Sequence, residues 1–231
     1  MMIFLQILLL VLALNTYEVF GVMGPGKTPS NDWNWVVGVE VDSQMYPGVL
    51  VTDQWVLTAK HIFDRVTLDR CTIWLYKKEL PEGQGLKVKH LCHYDFDLAL
   101  LHLESQVKVV PIFHPETMMP DKEAAAKCHV ASWDVISAAK WKAVSVKVNL
   151  LDGDECNQIT TSNHTFCAKA SDKDTMFCPG DSGGPLFCEV NKEWVLFGVV
   201  SQGQSNCRPP IIPTIFSSVY NQLKWIKCQP E

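Results

Sequence analysis

Three short strings in this chain hold residue types that do chemistry together. Trp55-Val-Leu-Thr-Ala-Lys-His61 sets a histidine directly after an apolar run. Asp95-Phe-Asp97-Leu-Ala-Leu-Leu sets an aspartate at the head of another, and Gly180-Asp-Ser182-Gly-Gly-Pro sets a serine in a glycine-rich turn. A serine hydroxyl is a weak nucleophile until a neighbouring imidazole takes its proton. The imidazole needs a carboxylate to hold its tautomer and to stabilise the imidazolium. Glycines beside the serine leave backbone N–H groups free to face an oxyanion. Other chemistries find no such support. A net charge of -5 without a dense Lys/Arg cluster repels phosphate, which argues against nucleic acid as a partner. No zinc-type Cys-x-x-Cys pair or His-Glu-x-x-His occurs, and the loop Lys77 to Gly85 offers only Glu79 and Glu82, so no metal or other cofactor is expected.

The elements around these strings are short and β-rich. Trp35 to Val41, Val49 to Val51, Cys71 to Tyr76 and Leu86 to Leu91 carry β-branched and aromatic residues with partial alternation. Val130 to Ser132, Val144 to Leu150, Trp194 to Val200 and Ile215 to Val219 repeat that texture in the second half. Pro81 to Gly85 reads as a hairpin turn and Pro115 to Lys127 as a linker; only Asn221 to Cys228 reads as a helix. Many short strands and little helix predict an all-β chain of one or two barrels or sandwiches, and 231 residues suffice for either.

The opening of the chain and its cysteines point to export. Ile3 to Leu14 is almost continuously apolar, too short to cross ~30 Å of hydrocarbon comfortably, and suits a signal-peptide core, with a short membrane anchor as the competing reading. Cleavage after Val19-Phe20-Gly21 would remove residues 1–21 and leave a secreted chain without a membrane segment. Nine cysteines suit an oxidising compartment and leave one unpaired, and Asn163-His164-Thr165 is an N-glycosylation sequon.

Taken together and in this order, His61, Asp97 and Ser182 with their flanking strings resemble the trypsin/chymotrypsin-like serine protease family, from about Val22 to Lys227. The resemblance implies two antiparallel six-stranded β-barrels with the site between them: a first barrel over about 22–114, a linker over 115–127, a second barrel over 128–220, and a C-terminal helix over 221–228. It implies His61 as general base, Asp97 as its orienting carboxylate, Ser182 as nucleophile, and the N–H groups of Gly180 and Ser182 as oxyanion hole. It pairs Cys128 with Cys188, Cys156 with Cys167, and Cys178 with Cys207. Cys71 and Cys92, on strands that should be neighbours, are expected to form a bridge peculiar to this chain, which leaves Cys228 free or intermolecular.

Two departures bear on activity. The family inserts a new N-terminal amine against the Asp before the serine, here Asp181, and Val22 falls in the register of that amine. Val22 is also the residue that cleavage after Gly21 would expose, so secretion itself would form the pair; the alternative is a ragged start and an unorganised oxyanion hole. Ser201-Gln-Gly203 resembles the family's substrate-backbone edge, and the primary specificity pocket would be lined by Met176, Phe177, Gly203 and Thr214, with no carboxylate at its base. The implied function is a secreted, non-tryptic serine endopeptidase of narrow specificity acting on protein or peptide, with a protease inhibitor as a further partner. The rival is a catalytically silent protease-fold protein that binds a partner through its cleft.

Overall fold

The structure, a computed structural model, describes residues 21–29, 33–75, 79–80, 85–94, 96–112, 120, 122–137 and 140–219. The expected leader up to residue 20, residues 81–84 of the expected turn, residues 115–119 and 121 of the linker, the 221–228 helix and Cys228 lie outside them. A short strand β1 (Lys27–Pro29) precedes the first barrel, which is built from β2 (Val36–Val41), β3 (Gln44–Leu50), β4 (Trp55–Ala59) and β5 (Cys71–Leu75). After the two-residue β6 (Glu79–Leu80), β7 (Leu86–Tyr94) and β8 (Leu98–Leu103) complete it, and the six strands close in the order β2-β3-β4-β8-β7-β5. β8 reads Leu-Ala-Leu-Leu-His-Leu with only His102 less than buried. A strand covered on both faces takes such a continuous apolar run rather than alternation.

The second barrel follows a short helix α1 (Lys122–Ala125). It comprises β9 (Cys128–Ser137), β10 (Lys140–Leu150), β11 (Thr165–Ala170), β12 (Pro185–Val190), β13 (Glu193–Gln202) and β14 (Thr214–Ser218). The ring runs β10-β11-β14-β13-β12-β9 and closes through β9 pairing with β10. A second helix, α2 (Gly153–Asn157), begins where the Asp152 side chain accepts the N–H of Glu155 at 2.9 Å, a side-chain cap. The sequence reading placed helix only at 221–228, because α1 and α2 span barely a turn each and show no apolar period.

The barrels are not sealed units. β1 pairs with β10, and β6 also pairs with β10, so the opening segment, expected within the first barrel, docks on the second. One buried cluster joins first-barrel residues such as Val37 and Leu101 to Trp133, Phe187, Leu196 and Val199 of the second. Ala124 of the expected linker packs into the second core.

The three disulfides implied by the resemblance are present: Cys128–Cys188, Cys156–Cys167 and Cys178–Cys207. The Cys71–Cys92 bridge is not. Cys71 is a buried free thiol, and Cys92 is disulfide-bonded to another cysteine. The strands are neighbours as expected, but the register pairs Thr72 with Lys87 and Ile73 with Leu86, which sets Cys71 level with Val88. Cys92 lies four residues further along, about 13 Å away at strand rise, well beyond the ~7 Å limit for a disulfide.

Candidate active site

Strand register brings the first two chemical groups together. Ala59, the last residue of β4, sits opposite Leu98, the first of β8, so His61 just beyond one and Asp97 just before the other meet at the same barrel edge. The N–H of Lys60 donates to the Asp97 carbonyl at 3.1 Å, and the N–H of His61 to Asp97 Oδ1 at 2.9 Å. Phe96 and Asp97 hold left-handed φ values of 65° and 61°, a rare conformation that turns the carboxylate back toward the imidazole. His61 Nδ1 lies 2.8 Å from Asp97 Oδ2 and 3.1 Å from Oδ1. Burial pushes the Asp97 carboxyl up, but hydrogen bonds from His61 and Ser201 outweigh it and hold it below the usual carboxylate range.

Ser182 arrives from the second barrel on the turn that enters β12. That turn is clamped to β13: the N–H of Gly183 donates to the Val200 carbonyl at 2.8 Å and the N–H of Val200 to Gly184 at 2.9 Å. Gly183 has φ +84°, and a Cβ there would sit 2.0 Å from Thr58 Oγ1 and 2.6 Å from the Pro47 carbonyl, so no other residue could bring the turn this close to the first barrel. Ser182 Oγ then lies 2.8 Å from His61 Nε2. Ser201, expected at the substrate edge, also donates its hydroxyl to Asp97 Oδ2 at 2.5 Å, so each barrel supplies two members of a four-residue line.

The trypsin family profile matches residues 22–226. This chain belongs to the trypsin family. Among similar trypsin-family proteins are mouse (Mus musculus) Kallikrein 1-related peptidase b3, 29% identical over 89% of this chain and 88% of its own length, and rat (Rattus norvegicus) Granzyme M, 29% identical over 95% of each. Thrombin-like enzyme elegaxobin-1 of Protobothrops elegans is 27% identical over 89% of this chain and 94% of its own.

Next to Ser182 in this trypsin-family chain, Asp181 is fully buried. Its carboxylate accepts the N–H of Cys178 at 2.7 Å, the Ser132 hydroxyl and the backbone N–H of Val22. Burial pushes this carboxyl up to about 7, against the pull of those donors and of Lys27. Val22 is itself buried, and Met23 and Met176 exchange backbone hydrogen bonds of 3.1 and 2.9 Å, so the segment from Val22 is docked beside Asp181. Ser132 was not anticipated; a serine inside an alternating strand carries no signal of its partner.

Met176, Phe177 and Thr214 are all buried, and Gly203 lies against Phe177. Separate from them, an open cleft of about 430 Å³ borders Asp97 and Ser201 and is walled by Phe96, Ile159, Thr160, Ser162 and Gln202. The exposed Asn163 belongs to the same 160–165 loop.

Proposed function

We propose that this chain is a secreted serine endopeptidase of non-tryptic, narrow specificity, acting through His61, Asp97 and Ser182. The observation that carries the reading is the unbroken hydrogen-bonded line from Asp97 through His61 to Ser182 Oγ. As Ser182 Oγ attacks the substrate carbonyl carbon, its proton passes to His61 Nε2. The carbonyl oxygen becomes an oxyanion facing the N–H groups of Gly180 and Ser182, and Asp97 stabilises the imidazolium. Collapse breaks the C–N bond, the leaving amine takes the proton from His61, and an acyl ester remains on Ser182. Water then attacks that ester with His61 again as base, releasing the acid and restoring the serine.

Export fits the apolar leader, the sequon at Asn163 and the disulfides, and one similar protein is named a snake venom serine protease. Removal of residues 1–21 would convert the Val22 N–H, already donating to Asp181, into an ammonium at the same place. Protein or peptide is the substrate, and a reactive-loop inhibitor would occupy the same site.

A second reading, a protease-fold protein that only binds its partner, is favoured by the bulk of Met176, Phe177 and Thr214 where a substrate side chain would enter. A fluorophosphonate probe applied to secreted protein starting at Val22, beside Ser182→Ala, separates the two. The endopeptidase reading expects labelling that the substitution abolishes. Absence of labelling in folded protein with that start overturns it in favour of the binding role.

A further inference from the structure

The two backbone segments that flank the primary pocket in this family, Met176–Cys178 and Ser201–Gln204, touch each other here. The N–H of Gln204 donates to the Phe177 carbonyl at 3.0 Å, which ties the strand end carrying Gly203 to Phe177, two residues expected to line that pocket. A Cβ built on Gly203 would lie 2.9 Å from that carbonyl oxygen and 3.7 Å from Phe177 Cβ, so not even a methyl group separates the walls. A flat aromatic or aliphatic side chain between two walls needs about 7 Å between them, two van der Waals contacts of ~3.5–4 Å each.

The side chain of Gln204 also shapes the loop that carries the contact. Gln204 is 5% exposed, and its amide nitrogen donates to the carbonyls of Arg208 and Pro210, the latter at 2.9 Å, and to Asn206 Oδ1 at 3.1 Å. Its amide oxygen accepts the N–H of Ile212 at 3.2 Å. The loop 204–212 is therefore folded back onto a single buried glutamine that bonds at both its amide nitrogen and its amide oxygen. Unfolding this loop would leave the buried Gln204 amide without its partners. The open cleft beside Asp97 and Ser201, by contrast, is hydroxyl-rich and unobstructed.

We propose that Gln204 is a specificity-determining residue that closes the primary pocket, so that the chain accepts glycine or alanine at the residue whose carbonyl is attacked and reads its substrate through upstream residues in the hydroxyl-lined cleft. The proposal rests on the endopeptidase reading for its chemistry, while the closure itself is a matter of binding. A hydrophobic pocket of ordinary depth rewards each fitting methylene and favours large residues; a closed one reverses the ranking.

The test uses protein beginning at Val22 and fluorogenic peptides identical except for Gly, Ala, Leu, Phe or Arg at the attacked residue. Gly and Ala are expected at least roughly tenfold above the other three in kcat/KM. Gln204→Ala is expected to shrink that ratio by gaining on Leu and Phe; Phe177→Ala provides a second opening from the opposite wall should the first variant fail to fold. A reactive-loop inhibitor scaffold carrying the same five residues, titrated calorimetrically into Ser182→Ala, should give the same ranking without turnover. Leu or Phe equal to or better than Gly in the unaltered protein overturns the proposal, as does an unchanged ratio in a folded opening variant. A calorimetric ranking led by Gly and Ala, together with no fluorophosphonate labelling of the unaltered protein, would sink the endopeptidase reading and leave the closed pocket standing.

Discussion

Asp97 takes hydrogen bonds from the His61 ring, the His61 backbone and Ser201, and each donor favours its charged form. A carboxyl held below its ordinary value in the folded chain stabilises the fold at all pH above that ordinary value, and the contribution is lost as pH falls through the lowered one. Ser201→Ala removes the 2.5 Å donor, so the Asp97 value rises toward normal. The expected outcome is an acid unfolding midpoint at higher pH than in the unaltered protein, read by thermal melts across pH 2 to 5. If the two acid limbs coincide, Ser201 does not tune the carboxylate. The three chemical residues were legible in the sequence because their flanking strings are distinctive. Ser201's second role was not, since the partner lies 104 positions away and only the closed second barrel brings them together.

At the level of elements, the site depends on how a β4–β8 edge and the turn entering β12 meet. Gly183 is the contact point, with Thr58 and Pro47 filling the volume that any Cβ would need. Gly183→Ala is expected to cost stability by roughly 1–3 kcal/mol, from the left-handed backbone and the clash, and to pull Ser182 away from His61. A thermal melt together with fluorophosphonate labelling checks both; full labelling at an unchanged melting temperature would show that the turn has slack. The element scale also holds the clearest misreading. Neighbouring strands were correctly expected for Cys71 and Cys92, but period-2 alternation says nothing about how far one strand slides along the other, and a slide of four residues separates the pair. The strands β11 and β12 were passed over as sequence, since their apolar runs are short and broken by cysteine and charged residues.

For the molecule as a whole, the docking of the Val22 segment on the second barrel would link the proposed removal of residues 1–21 to the site. With Gly21 still attached, Asp181 titrates near 7, whereas an unfolded aspartate titrates near 3.9. Between those values the folded state binds the extra proton, so stability falls as pH rises from about 4 to 7, by at most about 1.4 kcal/mol per pH unit. An ammonium on Val22 would pair with the carboxylate, lower its value and remove that slope. Protein extended before Val22 is therefore expected to lose melting temperature over this range relative to its Asp181→Asn counterpart, while protein starting at Val22 does not. Asp181→Asn in the latter should slow labelling of Ser182 by at least roughly 100-fold, the scale of a lost oxyanion-hole donor. Equal pH slopes in the two forms would disconnect Val22 from Asp181.

The sequence alone determined the family, because the strings around His61, Asp97 and Ser182 are local and distinctive, and that resemblance in turn implied the three disulfides that the structure holds. It also led to the expectation that no carboxylate waits at the base of the primary pocket, since Met176 and Phe177 stand at the positions that the resemblance assigns to it. What only the tertiary structure decided is whether the pocket is a space at all. Bulk can be counted from side chains, but the closure comes from a backbone hydrogen bond between Gln204 and Phe177, and from a glutamine side chain that finds its partners in a loop folded back on itself. Contacts between backbone groups far apart in the chain have no residue type to announce them, and so they become visible only once both barrels are closed.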